Sequence, residues 1–304
     1  MSRFPKRTLW ITGIVLLATS LGIGRIAYRH YAEVMADFEA ELPTMLSRHP
    51  EQAGIAGLEE VSFRTAGGLR LSGWYVPSRD RAAIIVAHGT NADRSSMLEE
   101  TRILAGAGFG VLTFDWPGSG SSEGKIQWNY IERQALTSAI DWLVGRPEVD
   151  PHKVGGLGFS IGAYVMAGVA ARDARLQAVV LQATPTDYLK LTLWQNRKWG
   201  LLSELPATLA LRNTGMPVNE LRPIDVVHDI APRPIFVIQG DLDGTVPVSM
   251  ARELFEAAGE PKSLWIVAGA HHGDYEKYAG GEYDLRLVRF FTDSLKPEPD
   301  RHIN

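Results

Sequence analysis

Cysteine is missing altogether from the 304 residues. Its absence rules out disulfides, thiolate metal sites, a cysteine nucleophile and a lipid-bearing cysteine. It is compatible with the cytoplasm and with an oxidising compartment, so it does not locate the protein. There is no long basic run in the body of the chain and the formal net charge is −4, so nothing calls for nucleic acid as a partner. Beyond residue 50 neither an internal repeat nor a low-complexity stretch occurs. What remains is ordinary globular composition, 45% apolar and 22% charged, with length for one large domain or two small ones.

One long uncharged run stands out. MSRFPKR places Arg3, Lys6 and Arg7 ahead of TLWITGIVLLATSLGIG, which runs from Thr8 to Gly24 without a charge before Arg25. This length is at the lower limit for crossing the hydrocarbon core and exceeds the usual apolar stretch of a signal peptide. Ala18 and Ser20 would serve a cleavage site. An uncleaved anchor is favoured, because RIAYRHYAEVMADFEAELPTML continues as an amphipathic helix, with Trp10, Tyr28 and Tyr31 near the interfaces. The expectation is a membrane anchor over residues 1–25 and a linker helix over 26–54. The basic N-terminal flank then puts the body on the non-cytoplasmic side, with secretion after cleavage as the alternative. Arg25 and Arg29 oppose that orientation.

The body alternates short apolar runs with helical patterns. VSFRTAGGLRLSGWYVP (61–77) reads as a hairpin around Gly67 and Gly68. AAIIVAH, GVLTFD, KVGGLGF, AVVLQA, PIFVIQG and SLWIVAG follow as strands whose near-continuous apolar character suits a parallel sheet buried on both faces. Helical segments lie between them, with Gly106, Gly108 and Gly259 as stops. The pattern predicts an α/β three-layer sandwich with a mostly parallel sheet over residues 55–297 and a tail at 298–304. The stretch 184–229 is too long for a connection and is expected to form a small helical cap. Its Trp194 and Trp199 either pack or line an acyl pocket.

G-x-S-x-G occurs twice, as GFSIG around Ser160 and GSSEG around Ser122. A serine elbow needs a strand directly before it and a helix directly after. Ser160 has KVGGLGF before and IGAYVMAGVAA behind, whereas Ser122 sits in the turn-rich DWPGSGS stretch. A serine nucleophile needs a base, and the base needs an acid to hold its tautomer. Groups that act together collect at strand carboxyl ends. After PIFVIQG come Asp241 and Asp243, and after SLWIVAG come His271 and His272. The order Ser, Asp, His is that of the α/β-hydrolase arrangement. A metal site at the histidine pair with Asp274 lacks companion ligands elsewhere.

HGTNADR, FDWPGSGSSEG, GFSIG, GDLDGTVP and AHHGD, in that order, resemble the successive motifs of α/β-hydrolase serine hydrolases over about residues 59–295. Within that superfamily they are most similar to the membrane-anchored serine-aminopeptidase-like and dienelactone-hydrolase-like branch. The resemblance implies Asp243 as acid, set by Gly240, Val246 and Pro247. It also implies His272 over His271 as base, and an oxyanion hole from the backbone N–H groups of Ile161 and Thr90. The turn HGTN departs from the glycine-rich HGGG form, which bears on Thr90. His88 is expected to hold that turn, and Asp115 with its loop to shape the rim.

The implied activity is cleavage of an ester or thioester, or an amide, through an acyl-enzyme, with a small-molecule acyl substrate and neither cofactor nor metal. Alternatives are a serine peptidase or acyltransferase with the same triad, and a non-catalytic membrane-anchored scaffold.

Overall fold

The computed structural model describes residues 6–39, 54–127 and 130–296, with only the helical backbone given for 6–16 and 37–39. The elements, in chain order, are α1 (Lys6–Glu39), β1 (Glu59–Arg64), β2 (Arg70–Val76), β3 (Ala83–Ala87), α2 (Leu98–Gly106), β4 (Gly110–Phe114), α3 (Tyr130–Val144), β5 (Val154–Phe159), α4 (Ile161–Ala170), β6 (Leu176–Gln182), α5 (Tyr188–Gln195), α6 (Leu201–Asn213), α7 (Pro223–Val226), β7 (Ile235–Gly240), α8 (Val248–Ala257), β8 (Lys262–Val267), α9 (Tyr275–Ala279) and α10 (Gly281–Leu295). They divide into two compact units, Leu42–Tyr188 with Asn219–Asn304, and Met1–Glu41 with Leu189–Val218.

The larger unit is built on one eight-stranded sheet in the order β1-β2-β4-β3-β5-β6-β7-β8. The hairpin expected around Gly67 and Gly68 is β1 against β2, antiparallel, closed by Thr65 N–H to Leu69 carbonyl and Gly68 N–H to Thr65 carbonyl. From β4 through β3, β5, β6 and β7 to β8 every pairing is parallel. These strands are apolar at nearly every position because both faces are covered, and strand alternation assigns each side chain to one face. Ala83, Ile85 and Ala87 of β3 pack with Leu136 and Ile140 of α3, Met166 of α4 and Leu254 of α8. Ile84 and Val86 pack on the other side with Leu104 of α2 and Leu287 and Phe291 of α10. The result is the expected three-layer sandwich.

In the smaller unit α1 is one continuous helix. His30 Nε2 lies 2.9 Å from Asn196 Oδ1 and Asn213 Nδ2 donates to Tyr31 Oη at 2.8 Å, tying α1 to the residue after α5 and to the last residue of α6. The anchor expected over 8–24 falls in part on side chains outside the described residues. Among the described residues no helix is long and apolar enough to cross a membrane. Within the expected cap, 184–229, only Leu189–Val218 separates from the sheet unit. Thr184 to Tyr188 and the short α7 stay with the sheet.

Asp115, at the end of β4, organises the neighbouring loop. Its carboxylate pairs with the buried Arg94 guanidinium and accepts the backbone N–H groups of Arg94 and Ser121, each at 2.8 Å. Arg94 also lies over the Trp74 ring, 4.7 Å from its centroid. Ser122 is engaged in the same loop: its hydroxyl donates to the Asp115 carbonyl at 2.8 Å and accepts Ser72 N–H at 2.9 Å. The second G-x-S-x-G serine is thus a loop fastener. Removing one partner of a buried ion pair leaves the other uncompensated, so Asp115→Ala is expected to lower unfolding free energy by about 3–5 kcal/mol. Urea denaturation of the variant checks this.

Candidate active site

The strand β5 ends at Phe159 and α4 begins at Ile161, so Ser160 alone makes the turn between them. It does so at φ +54° and ψ −119°, a conformation that L residues rarely adopt and that persists only when the surroundings enforce it. Ser160 N–H is fixed to the Gln182 carbonyl at 2.9 Å, and its side chain makes no capping bond to α4. The flanking glycines are explained by contact. A Cβ on Gly158 would lie 2.6 Å from the backbone of Ala163, and one on Gly162 2.4 Å from the Ala87 carbonyl oxygen. No side chain fits either position, which is why the motif brackets its serine with glycine.

Asp243 follows β7 and is almost fully buried. Its Oδ2 accepts His272 Nδ1–H at 2.8 Å and Gln239 Nε2–H at 2.8 Å, and its Oδ1 accepts the backbone N–H groups of Thr245 and Val246 at 2.8 and 2.9 Å. Burial alone would raise this carboxyl, but the His272 bond and charge, with the two backbone donors, hold it below the usual carboxylate range. With Nδ1–H committed to Asp243, the neutral imidazole of His272 has Nε2 as its acceptor. The His272 ring packs on Phe159, the residue before the serine, with centroids 4.7 Å apart.

The rival candidates are occupied elsewhere. Asp241 is exposed and accepts Gly269 N–H at 2.6 Å, clipping the loops after β7 and β8 together. His271 is exposed, its N–H bound to Asp274 Oδ1 at 2.6 Å and its ring beside Tyr278. Of the two histidines, His272 is the one against Asp243.

The turn after β3 lies against the serine: a Cβ on Gly89 would stand 3.3 Å from Ser160 Cβ and 3.0 Å from Phe159 Cδ1. Thr90 follows, exposed. Ile161 is the first residue of α4, where a helical N–H has no carbonyl one turn back. His88 anchors the turn. Its Nδ1–H donates to the Gly89 carbonyl at 2.8 Å, its Nε2 accepts Trp116 N–H at 3.3 Å, and its carbonyl accepts Trp116 Nε1–H at 2.9 Å.

Three contributors escaped the sequence reading. Gln239 is a polar residue at the end of an otherwise apolar strand, PIFVIQG, and that mismatch was the available signal. Phe159 carries no signal beyond its place before Ser160. Gln182, whose carbonyl holds Ser160 N–H, also donates through Nε2 to Tyr283 Oη at 2.7 Å, and Tyr283 donates to the buried Glu100 at 2.6 Å. Glu100 and Tyr283 lie outside every motif, so nothing local announced them.

Burial holds His88 neutral by lowering its pKa, against weaker upward pulls from Asp115 and the Gly89 carbonyl. A group lowered on folding contributes stability that is complete above its unfolded pKa and is lost as pH falls. Stability is therefore expected to decline on acidification below about pH 6.5, the ordinary histidine value, with the Asp243 contribution lost below the ordinary carboxylate range near pH 4. Urea midpoints across this range check the trend, and His88→Gln is expected to flatten its upper part.

The model of the X-Pro dipeptidyl-peptidase (S15) family matches residues 36–202. The protein MT2364 of Mycobacterium tuberculosis is 31% identical over 242 residues, covering 77% of this chain and 79% of that one. The polyketide transferase ATR5 of Stachybotrys chlorohalonatus is 32% identical over 290 residues, covering 78% of this chain and 98% of that one. The esterase Pf2001 of Pyrococcus furiosus superposes with a TM-score of 0.67 at 22% identity, covering 81% of this chain and 96% of that one. On this sheet, with a serine elbow at its centre, the chain belongs to the S15 peptidase family of α/β-hydrolases and is a hydrolase.

Proposed function

We propose that the protein cleaves an ester or thioester through an acyl-enzyme on Ser160. The observation that carries this reading is the strained Ser160 elbow between β5 and α4. In the proposed cycle His272 Nε2 takes the hydroxyl proton as Ser160 Oγ attacks the carbonyl carbon. Asp243 holds the ring and stabilises the imidazolium, which then protonates the leaving group. Water, deprotonated by the same imidazole, releases the acyl group. The N–H groups of Ile161 and Thr90 receive the oxyanion, each such donor being worth about 3 kcal/mol of barrier. A small acyl compound is the substrate class, and residues 8–24 hold the chain to a membrane with the catalytic unit on the non-cytoplasmic side.

Amide cleavage or acyl transfer is the second reading. The S15 family description and the polyketide transferase among the relatives favour keeping it. Both use the same acyl-enzyme and differ in what enters or leaves it. Analysis of products with an added alcohol or amine separates transfer from hydrolysis.

A fluorophosphonate probe is expected to label the protein, with labelling abolished in Ser160→Ala. On p-nitrophenyl esters of increasing acyl length, Asp243→Asn and His272→Gln are expected to lose roughly 10⁴-fold in kcat. His271→Gln should stay near the parent rate. A folded protein that neither labels nor turns over any ester would count against a serine hydrolase.

A further inference from the structure

The smaller unit carries an apolar surface that the hydrolase chemistry does not use. Every residue of α1 from Leu17 to Ile26 is exposed, Leu17, Leu21, Ile23 and Ile26 among them. Thr19, Ser20 and Arg25 are the polar members of the stretch; the exposed aliphatic side chains are of the kind a helix normally buries in a protein core or in lipid.

Helix α6 repeats the anomaly in a more specific form. Leu201, Leu202, Leu205 and Leu209 are exposed, between 47% and 69% of their surface, while Ser203, Pro206, Ala207, Ala210 and Leu211 of the same helix are buried. At about 100° per residue the four leucines share one face of roughly 100° and the buried residues the opposite one. Leu211 apart, the helix turns small and weakly polar residues inward and its other four leucines outward, the reverse of a helix facing water.

The margin of this face has the composition of a lipid–water boundary. Trp199, just before α6, is 54% exposed with the Lys198 ammonium 5.6 Å from its ring centroid, and the Arg197 guanidinium lies 4.2 Å over Trp194. Tryptophan with lysine and arginine marks membrane interfaces. Residues 189–218 hold Lys190, Arg197, Lys198 and Arg212 against Glu204 alone, a charge of +3 within a chain of −4. That charge complements anionic headgroups and opposes pairing of the face with a second copy of itself.

We propose that α6 is a second membrane contact, its leucine face lying in the interfacial layer of a bilayer containing anionic lipid, beside α1. This placement rests on the membrane reading of residues 8–24 and is independent of the chemistry at Ser160. It makes the segment Leu189–Val218 a lipid-docking element.

Because the chain has no cysteine, each introduced one is unique. Leu205→Cys and Leu209→Cys, with Leu17→Cys reporting the anchor and Arg252→Cys on the exposed side of α8 as water control, are labelled with an environment-sensitive fluorophore. The full chain is then reconstituted in phosphatidylcholine vesicles with and without phosphatidylglycerol. The expected result at 205 and 209 is a blue shift, quenching by a headgroup-level lipid nitroxide and protection from aqueous iodide. Removing phosphatidylglycerol should weaken the quenching there, while 17 stays protected from iodide in both vesicles. Iodide access at 205 and 209 equal to that at 252, with 17 still protected from iodide, overturns the docking of α6 and leaves the anchor standing. Iodide access at 17 as well overturns both. Protection at 205 and 209 from both quenchers means that protein covers the face and overturns lipid contact, and quenching there indifferent to phosphatidylglycerol overturns the anionic requirement.

Discussion

The site depends on one constraint: a serine held at φ +54° where a strand meets a helix. That conformation is held by surroundings, and here they are backbone. The sheet fixes Ser160 N–H on the Gln182 carbonyl, Gly162 lets α4 close on the ends of β3, and Gly158 lets β5 touch the first turn of α4. Strain of this kind amounts to about 1–3 kcal/mol, small against the burial of a parallel sheet covered on both faces. What it achieves is orientation, since a relaxed serine cap would spend its hydroxyl on the helix N–H groups. The α4 cap makes no such bond.

The Asp243 environment follows a related logic. A buried carboxylate is costly unless its lone pairs are satisfied. Four donors converge on it: two backbone N–H groups, one amide and one imidazole. Three come from the residues around β7 itself, so the aspartate is oriented before the histidine is considered. The imidazole bond then fixes a tautomer instead of being required to hold the acid. Gln239 is the connecting piece, because the same Nε2 also reaches the Val246 carbonyl at 3.0 Å and so joins strand end to loop.

Much of this was legible in sequence for a physical reason. Strands buried on both faces leave unbroken apolar runs, and the elbow needs glycines at fixed spacing, so the sheet and Ser160 both write local signatures. The choice between His271 and His272 is different. Adjacent residues share every local property, and residue types alone do not separate them; a family spacing does, and the structure does so through the 2.8 Å contact to Asp243. Gln239 was half legible as a polar residue closing an apolar strand. The Gln182, Tyr283 and Glu100 chain was not, because its members are brought together by β6, α10 and α2, with Glu100 and Tyr283 183 positions apart.

The stretch after β6 shows the same limit at the scale of a segment. Its length announces an insertion, and its hydrophobicity suits packing or a pocket wall, since apolar residues at helical spacing usually face inward. Spacing identifies a face and does not say which way it points. In α6 four of the five leucines point out, and Leu211 and the alanines point in, so most of a stripe whose spacing suits packing or a pocket wall is surface in the fold. A large outward apolar stripe raises the solvation cost of the monomer unless something other than water meets it. With the exposed aliphatic residues of α1 in the same unit and an excess of basic residues around α6, a lipid surface satisfies both the hydrophobic and the electrostatic demand.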